Sequence, residues 1–176
     1  MKTWKTISFC IAVSSFVIMG CGAPSSPPSA GPTAGDLMAA ASELDSLFLV
    51  AFNTGDAESL MRLYWNSPDL RAYPPGEMQQ NGYEAVKAAM TKEFAMNKGA
   101  KLEYLNTNNL VFAGGVVGHG TFRWTLPMEG GAPMVMEGRY MEVKEMKDGR
   151  MVITVDHTSA PMAPPEEMSK DSTAHQ

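Results

Sequence analysis

Thiols are nearly absent from this chain. Its 176 residues include two cysteines, Cys10 and Cys21, and none follows. From residue 22 onward this excludes a disulfide, a thiolate zinc centre and a cysteine nucleophile together. It also suits an oxidising compartment, where a stray thiol is a liability. Long apolar runs are missing too. Ile7–Met19 is interrupted by small and weakly polar residues and falls short of the roughly 20 apolar residues that a membrane-spanning helix needs. Positive charge is scarce: 14 Lys and Arg face 19 Asp and Glu, for a formal net charge of -5. No basic run and no interleaving of basic with aromatic residues is present, so the sequence carries no signature of nucleic-acid binding.

What is there begins with a leader. Lys2 and Lys5 precede the apolar stretch, and Ile18-Met19-Gly20-Cys21 closes it. This ending resembles the lipobox of bacterial lipoproteins: an aliphatic residue, a tolerated one, a small one and the cysteine that takes the lipid. The resemblance implies loss of residues 1–20, lipid attachment at Cys21 and an exported chain anchored in the membrane of the cell envelope. With Gly22 rather than an aspartate after the cysteine, it implies the outer membrane in a cell that has two. An ordinary cleaved signal that ends near a cysteine is the alternative. The Pro/Ser/Gly-rich residues 21–35 carry no charge and no large apolar side chain, the composition of a spacer. The polar tail, 164–176, has little to bury. Residues 36–163 remain, enough for one domain with a single core. Without the two lysines of the leader, 12 basic residues face 19 acidic ones.

Within the domain, Asp36 is placed to cap a helix whose apolar residues, from Leu37 through Leu44, Phe48 and Ala51 to Phe52, recur at helical spacing. Asn53-Thr54-Gly55-Asp56 ends it, and Asp56 can cap a short second helix carrying Leu60, Met61, Leu63 and Tyr64. Asp69–Tyr73 reads as a strand closed by Pro74-Pro75-Gly76. Asn81-Gly82 opens a third helix, with Val86, Met90 and Phe94 on its apolar side. The remainder is strand-like. Leu102–Leu105 and Asn109–Phe112 flank a polar turn, followed by Val116–Leu126, Val135–Met146 and Met151–Ser159. Lys147-Asp148-Gly149 predicts a tight hairpin. Helices first and an antiparallel sheet last make an α+β layout.

Phe52-Asn53-Thr54-Gly55-Asp56, Leu60 with Leu63-Tyr64, Tyr73-Pro74-Pro75-Gly76 and Asn81-Gly82-Tyr83-Glu84-Ala85-Val86 follow one another in an order that resembles the NTF2-like superfamily. Gly138-Arg139-Tyr140-Met141-Glu142-Val143 and Asp148-Gly149-Arg150-Met151-Val152-Ile153, ending in Asp156-His157-Thr158-Ser159-Ala160-Pro161, resemble the last two strands of its SnoaL-like and DUF4440-type members. The resemblance implies a cone in which a strongly curved antiparallel sheet wraps the third helix and leaves a pocket at its open end. It also implies the positions where ketosteroid isomerases of this superfamily keep their chemistry. The proton-shuttling aspartate falls on Tyr73, the oxyanion-binding tyrosine on Phe48, and the second oxyanion acid near Gly138. A neutral phenol is a poor base at neutral pH, Phe48 has no hydroxyl, and glycine has no side chain. Ketosteroid isomerase activity is therefore not expected.

Fold does not carry function, and the remaining polar residues offer chemistry of their own. Alternation along the final strand puts Met151, Ile153, Val155, His157 and Ser159 on one face and Asp156 on the other. The first face is the more apolar and is placed inward, with His157 at the pocket mouth. Arg139 is placed inward in the same way, and Tyr140, Glu142 and Lys144 outward. His157 and Arg139 are the candidate catalytic residues, able to orient an anionic or carbonyl-bearing ligand. The structural alternatives are a histidine bonded to a backbone carbonyl and an arginine neutralising Glu137 or Asp156. His119, between Gly118 and Gly120, suggests a close backbone approach with a solvent-facing imidazole; His175 is in the tail. Tyr64, Tyr73, Met90, Phe94, Phe122 and Trp124 are the expected pocket lining, with plain core as the alternative. Met134-Val135-Met136 puts two soft thioethers on one face, but no dense Met/His cluster accompanies them and methionine is also a core filler; no metal and no cofactor are expected. The expectation is an envelope-anchored, non-catalytic module with a small-molecule pocket. Its alternatives are a SnoaL-like lyase, hydrolase or cyclase, and a protein-interaction module that forms, for example, a homodimer through the sheet face.

Overall fold

The structure, a computed structural model, describes residues 31–161. The leader, Cys21, the spacer up to Ala30, the tail and His175 lie outside the described residues. Helix α1 spans Ala34–Thr54, α2 Ala57–Met61 and α3 Tyr83–Met96. The strands are β1 Arg71–Tyr73, β2 Gln80–Asn81, β3 Lys101–Phe112, β4 Gly115–Leu126, β5 Met134–Lys147 and β6 Arg150–Ser159. No described helix is long and apolar enough to cross a membrane.

Thr33, not Asp36, caps α1. Its hydroxyl accepts from the Asp36 N–H while the Asp36 carboxylate accepts from the Thr33 N–H, a reciprocal capping box. Leu37, Ala41, Leu44, Phe48 and Ala51 form the buried stripe. Gly55 ends the helix at φ 70°, a left-handed value that costs glycine nothing. Asp56 caps α2 as expected, accepting from the Ser59 N–H at 2.9 Å. The Asp148–Gly149 turn has φ of 52° and 79°, as a two-residue hairpin between right-twisted strands requires.

The sheet order is β2-β1-β6-β5-β4-β3. Two features differ from expectation. The sheet is mixed, because β1 runs parallel to β6, pairing Arg71 with Val155 and Tyr73 with His157. The polar stretch between Leu105 and Asn109 is no turn: β3 runs unbroken to Phe112, with an irregularity between Tyr104 and Asn106. A bulge absorbs one residue without reversing the chain, so polar residues there mark an edge strand.

Strands β3 and β6 are separated by β5 and β4, yet α1 packs against β3, β4 and β6 alike. The sheet thus curls around α1. The expected central helix was the third, but α3 packs on α2 and β2. The core joins Leu44, Phe48 and Ala51 of α1 to Leu60, Met61, Tyr64, Leu70, Ala72, Val86 and Ile153. Each large apolar side chain buried here contributes about 1.5–3 kcal/mol.

Candidate functional site

One inserted residue decides which side chains of β6 face this core. Val143 pairs with Val155, but Lys144 pairs with Ile153, which leaves Thr154 as the extra residue of β6. Its hydroxyl donates to the Val143 carbonyl at 3.2 Å. Alternation therefore changes phase at Thr154. Ile153 points inward, and beyond the bulge it is Asp156 that does, while His157 is exposed. The inward placement of His157 is thus corrected, and that of Arg139 as well, because β5 turns its Tyr140, Glu142 and Lys144 face inward; both residues lie on the opposite face, and Arg139 is exposed. The outward placement of Tyr140, Glu142 and Lys144 is corrected in turn. Their exposures are 5%, 2% and 0%, and Asp156 retains 8%.

These side chains form a buried polar cluster between α1 and the sheet. The Lys144 ammonium donates to Asp45 of α1 and lies 3.2 Å from Glu142 Oε2. That oxygen is buried and has no hydrogen-bond partner, since the ammonium is near but not aligned with it. The Tyr64 hydroxyl donates to Asp156 Oδ2 at 2.6 Å. Tyr140 donates to Thr107 Oγ1 at 2.9 Å and stacks on Tyr104 with 4.8 Å between ring centroids. Gly118 leaves room for the lysine: a Cβ there would sit 2.9 Å from Lys144 Nζ.

Burial dominates the ionisation of the cluster. It pushes the Glu142 carboxyl up to about 8, with Asp156 and Asp45 adding and Lys144 opposing. Asp156 is raised by burial against its bond from Tyr64. The Tyr64 and Tyr104 phenols are pushed well above their ordinary range by burial and by the neighbouring carboxylates. Burial raises Tyr140 to about 12. The shift favours the protonated form of Glu142, in which the carboxyl can donate a hydrogen bond or a proton.

Aromatic rings extend from this cluster toward solvent. Phe48 stacks on Phe52 at 6.1 Å and on Tyr104 at 6.5 Å. Phe52 meets Phe94 edge-on at 5.2 Å and Trp124 at 6.4 Å. Phe52, Met90, Phe94 and Trp124 are half-buried. Trp124 Nε1 is buried and has no acceptor among the described residues. Of the expected lining residues, Tyr64 and Phe122 are buried inside the cone, and Met90, Phe94 and Trp124 are half-buried at its aromatic side. Tyr73 is elsewhere: it pairs with His157 on the other face, with 6.0 Å between the rings.

That outer face carries a hollow of about 450 Å³ lined by His119, Arg139, Met141, His157 and Ser159, among others. The two sequence candidates do share a site, then, but not the interior. Arg139 neutralises neither of its expected carboxylates. Glu137 accepts from Arg123 at 2.7 and 3.0 Å, Asp156 from Tyr64, and Arg139 Nε reaches Ser159 Oγ at 3.3 Å. His119 is half-buried on this face. Its glycine neighbours do meet close contacts, Gly118 against Lys144 and Gly120 against Asn106. Among the described residues no three His, Cys, Asp or Glu side chains gather as a metal site.

No protein-family model matches this sequence. No curated protein does either. Solved structures do. A nuclear transport factor 2 (NTF2-like) superfamily protein from Salmonella enterica superposes with a TM-score of 0.67 over 74% of this chain and 95% of its own, at 14% identity. A protein from Streptomyces avermitilis, described as a candidate dehydratase of the NTF2-like family, gives 0.66 over 72% and 98%, also at 14% identity. An NTF-2 like protein of unknown function from Shewanella oneidensis gives 0.55 over 69% and 98%, at 22% identity. The fold is NTF2-like. At these identities the likeness extends to the fold alone.

Within this NTF2-like fold the three positions of isomerase chemistry are spread apart. Tyr73 is on the outer face, Phe48 lies in the aromatic stack, and Gly138 gives up its space to Phe122 and the Ser159 carbonyl, 2.7 Å from where a Cβ would stand. The polar residues of the interior are others: Asp45, Tyr104, Tyr140, Glu142 and Lys144. Only one sequence signal pointed to them, the alternation Tyr140, Glu142, Lys144, and it reads as a solvated face until the hairpin register sets Lys144 beside the inward Ile153.

Proposed function

We propose that this domain binds a small, mainly apolar molecule that carries a carbonyl or hydroxyl oxygen, seated against Phe52, Met90, Phe94 and Trp124. The observation that carries this reading is the Trp124 indole N–H, buried among half-buried rings without an acceptor. An unpaired buried donor is costly, and a ligand oxygen would satisfy it while the apolar body of the ligand covers the aromatic faces. The NTF2-like fold supports a ligand-binding role. In this reading the domain is a binding module held at the cell envelope by lipid on Cys21.

The test is a thermal-shift and tryptophan-fluorescence screen of the full chain against steroids, aromatic polyketides, lipids and small carboxylates. A true ligand raises stability by about 2.7 kcal/mol at a hundredfold excess over its dissociation constant. Trp124→Phe keeps the ring area and removes the donor, so it should weaken the same ligand. Hits that bind Trp124→Phe unchanged would remove the reading.

A second reading, a SnoaL-like lyase, hydrolase or cyclase, is favoured by the buried Glu142 carboxyl, shifted upward beside Asp156 and Tyr64. In it, Glu142 gives a proton to a ligand oxygen and Asp156 takes one up through Tyr64. Turnover that disappears in Glu142→Gln while ligand binding persists would select it over simple binding.

A further inference from the structure

The bulge that sends His157 outward also aligns it. His119 on β4 pairs with Met141 on β5, and Met141 pairs with His157 on β6. Cross-strand partners point to the same face of a sheet, and neighbouring strands lie about 4.8 Å apart. Two imidazoles therefore flank one thioether in a straight row across three strands. All three line the hollow of about 450 Å³ on the outer face.

We propose that this row is a binding site for a soft monovalent metal ion, Cu(I), with His119, Met141 and His157 as its three ligands. Two imidazoles and a thioether are a soft donor set that suits Cu(I). No carboxylate or thiolate lines the hollow, so magnesium or calcium would find no oxygen cage and zinc no fourth strong ligand. Ligands on three bonded strands of one sheet are held at fixed spacing, which favours a defined site over adventitious binding. Arg139 sits two residues before Met141, on the same face, with its Nε directed to Ser159 Oγ at 3.3 Å. Its positive charge counts against any cation here, though less against a monocation than against a dication. The soft pair visible along the chain, Met134 and Met136, is not part of the row.

The site is independent of the interior ligand reading, and so is its test. The full chain with Cys10→Ser and Cys21→Ser, so that no thiolate competes, is titrated anaerobically against a Cu(I)–bicinchoninate complex. One equivalent should be withdrawn from the chelator. His119→Ala, Met141→Leu and His157→Ala are each expected to weaken binding by at least the roughly 10- to 100-fold that even an outer-shell partner costs. Met134→Leu with Met136→Leu should change nothing. Arg139→Gln should tighten binding and His119→Ala should leave the melting temperature of the metal-free chain unchanged. In NMR spectra the Met141 methyl and the ring protons of both histidines should shift together on adding Cu(I). Failure to compete with bicinchoninate, or competition that survives the three ligand variants, overturns the proposal. A melting temperature lost with the metal-free His119→Ala chain would make Met141→Leu and the NMR shifts the deciding measurements.

Discussion

Glu142 shows how much one side chain depends on its surroundings. On a solvated strand face it would be an ordinary carboxylate. Inside this cone it lies against Lys144 and Asp156, almost fully buried, and its carboxyl is raised from 4.5 to about 8. Between these two pH values the folded chain keeps a proton that the unfolded chain has released. Folding stability contributed by Glu142 is therefore greatest below pH 4.5, falls as pH rises through the window, and stops falling above about 8. Glu142→Gln removes this dependence and leaves that of Asp156, whose raised value acts in the same direction. The melting temperature of Glu142→Gln minus that of the unaltered chain should thus grow steadily from pH 5 to pH 8. At about 1.4 kcal/mol for each pH unit of separation, the ceiling is a few kcal/mol, and buried charges relax enough to keep the measured change below it. Scanning fluorimetry at four pH values is sufficient. A difference that stays flat with pH means that Glu142 is not the buried acid described here.

At the scale of elements, the same cluster joins α1 to β5. Asp45 reaches from the helix to Lys144, whose ammonium has no exposure at all. Removing one partner of such a pair strands the other, typically at a cost of about 3–5 kcal/mol, whereas replacing both with apolar residues is often neutral. Asp45→Ala should accordingly destabilise the chain by about that amount in urea unfolding, less whatever Glu142 recovers by ionising toward the lysine. Asp45→Leu combined with Lys144→Met should regain most of the loss. A single variant that costs under about 1 kcal/mol, the range of surface pairs, would show that water reaches the lysine. The elements themselves were largely legible in the sequence. The Asp56 cap, the Gly55 stop and the Asp148–Gly149 hairpin are local signals, and local signals set where helices and turns begin and end. Two things were not legible. The inserted Thr154 is a β-branched residue in a β-rich run, so nothing marks it as a bulge, yet it exchanges the two faces for Asp156 and His157. The polar tract Asn106-Thr107-Asn108-Asn109 imitates a turn because β3 is an edge strand, with one side unpaired. That change of phase hid Asp156 and placed His157 inside, whereas on the unbulged β5 it was the polarity of Tyr140, Glu142 and Lys144 that put them outside and Arg139 inside. Phe122, Trp124, Met90 and Phe94 were independent of it, since apolar bulk draws them toward the core on any register.

For the whole molecule, the question is where this domain works, and the proposal that lipid is attached at Cys21 gives it a test. The described residues are acidic on balance and include no helix that could hold the chain in a membrane. We propose that attachment to the envelope comes from Ile18-Met19-Gly20-Cys21, the stretch that resembles a lipobox. A lipid-modified cysteine would tether the domain to a membrane through the spacer, residues 21–35. One acyl chain gives only marginal anchoring, and stable attachment takes more than one, so the modification has to be the complete lipoprotein one to serve this purpose. Expression in a bacterial host with labelled palmitate should give a labelled chain that partitions into the detergent phase. Cys21→Ser should lose both the label and the partitioning and should accumulate with residues 1–20 still attached, because this type of cleavage follows lipid transfer. An unlabelled wild-type chain cleaved near the same point would instead mean an ordinary export signal. The domain would then be released from the membrane, and its ligand would have to be sought in solution.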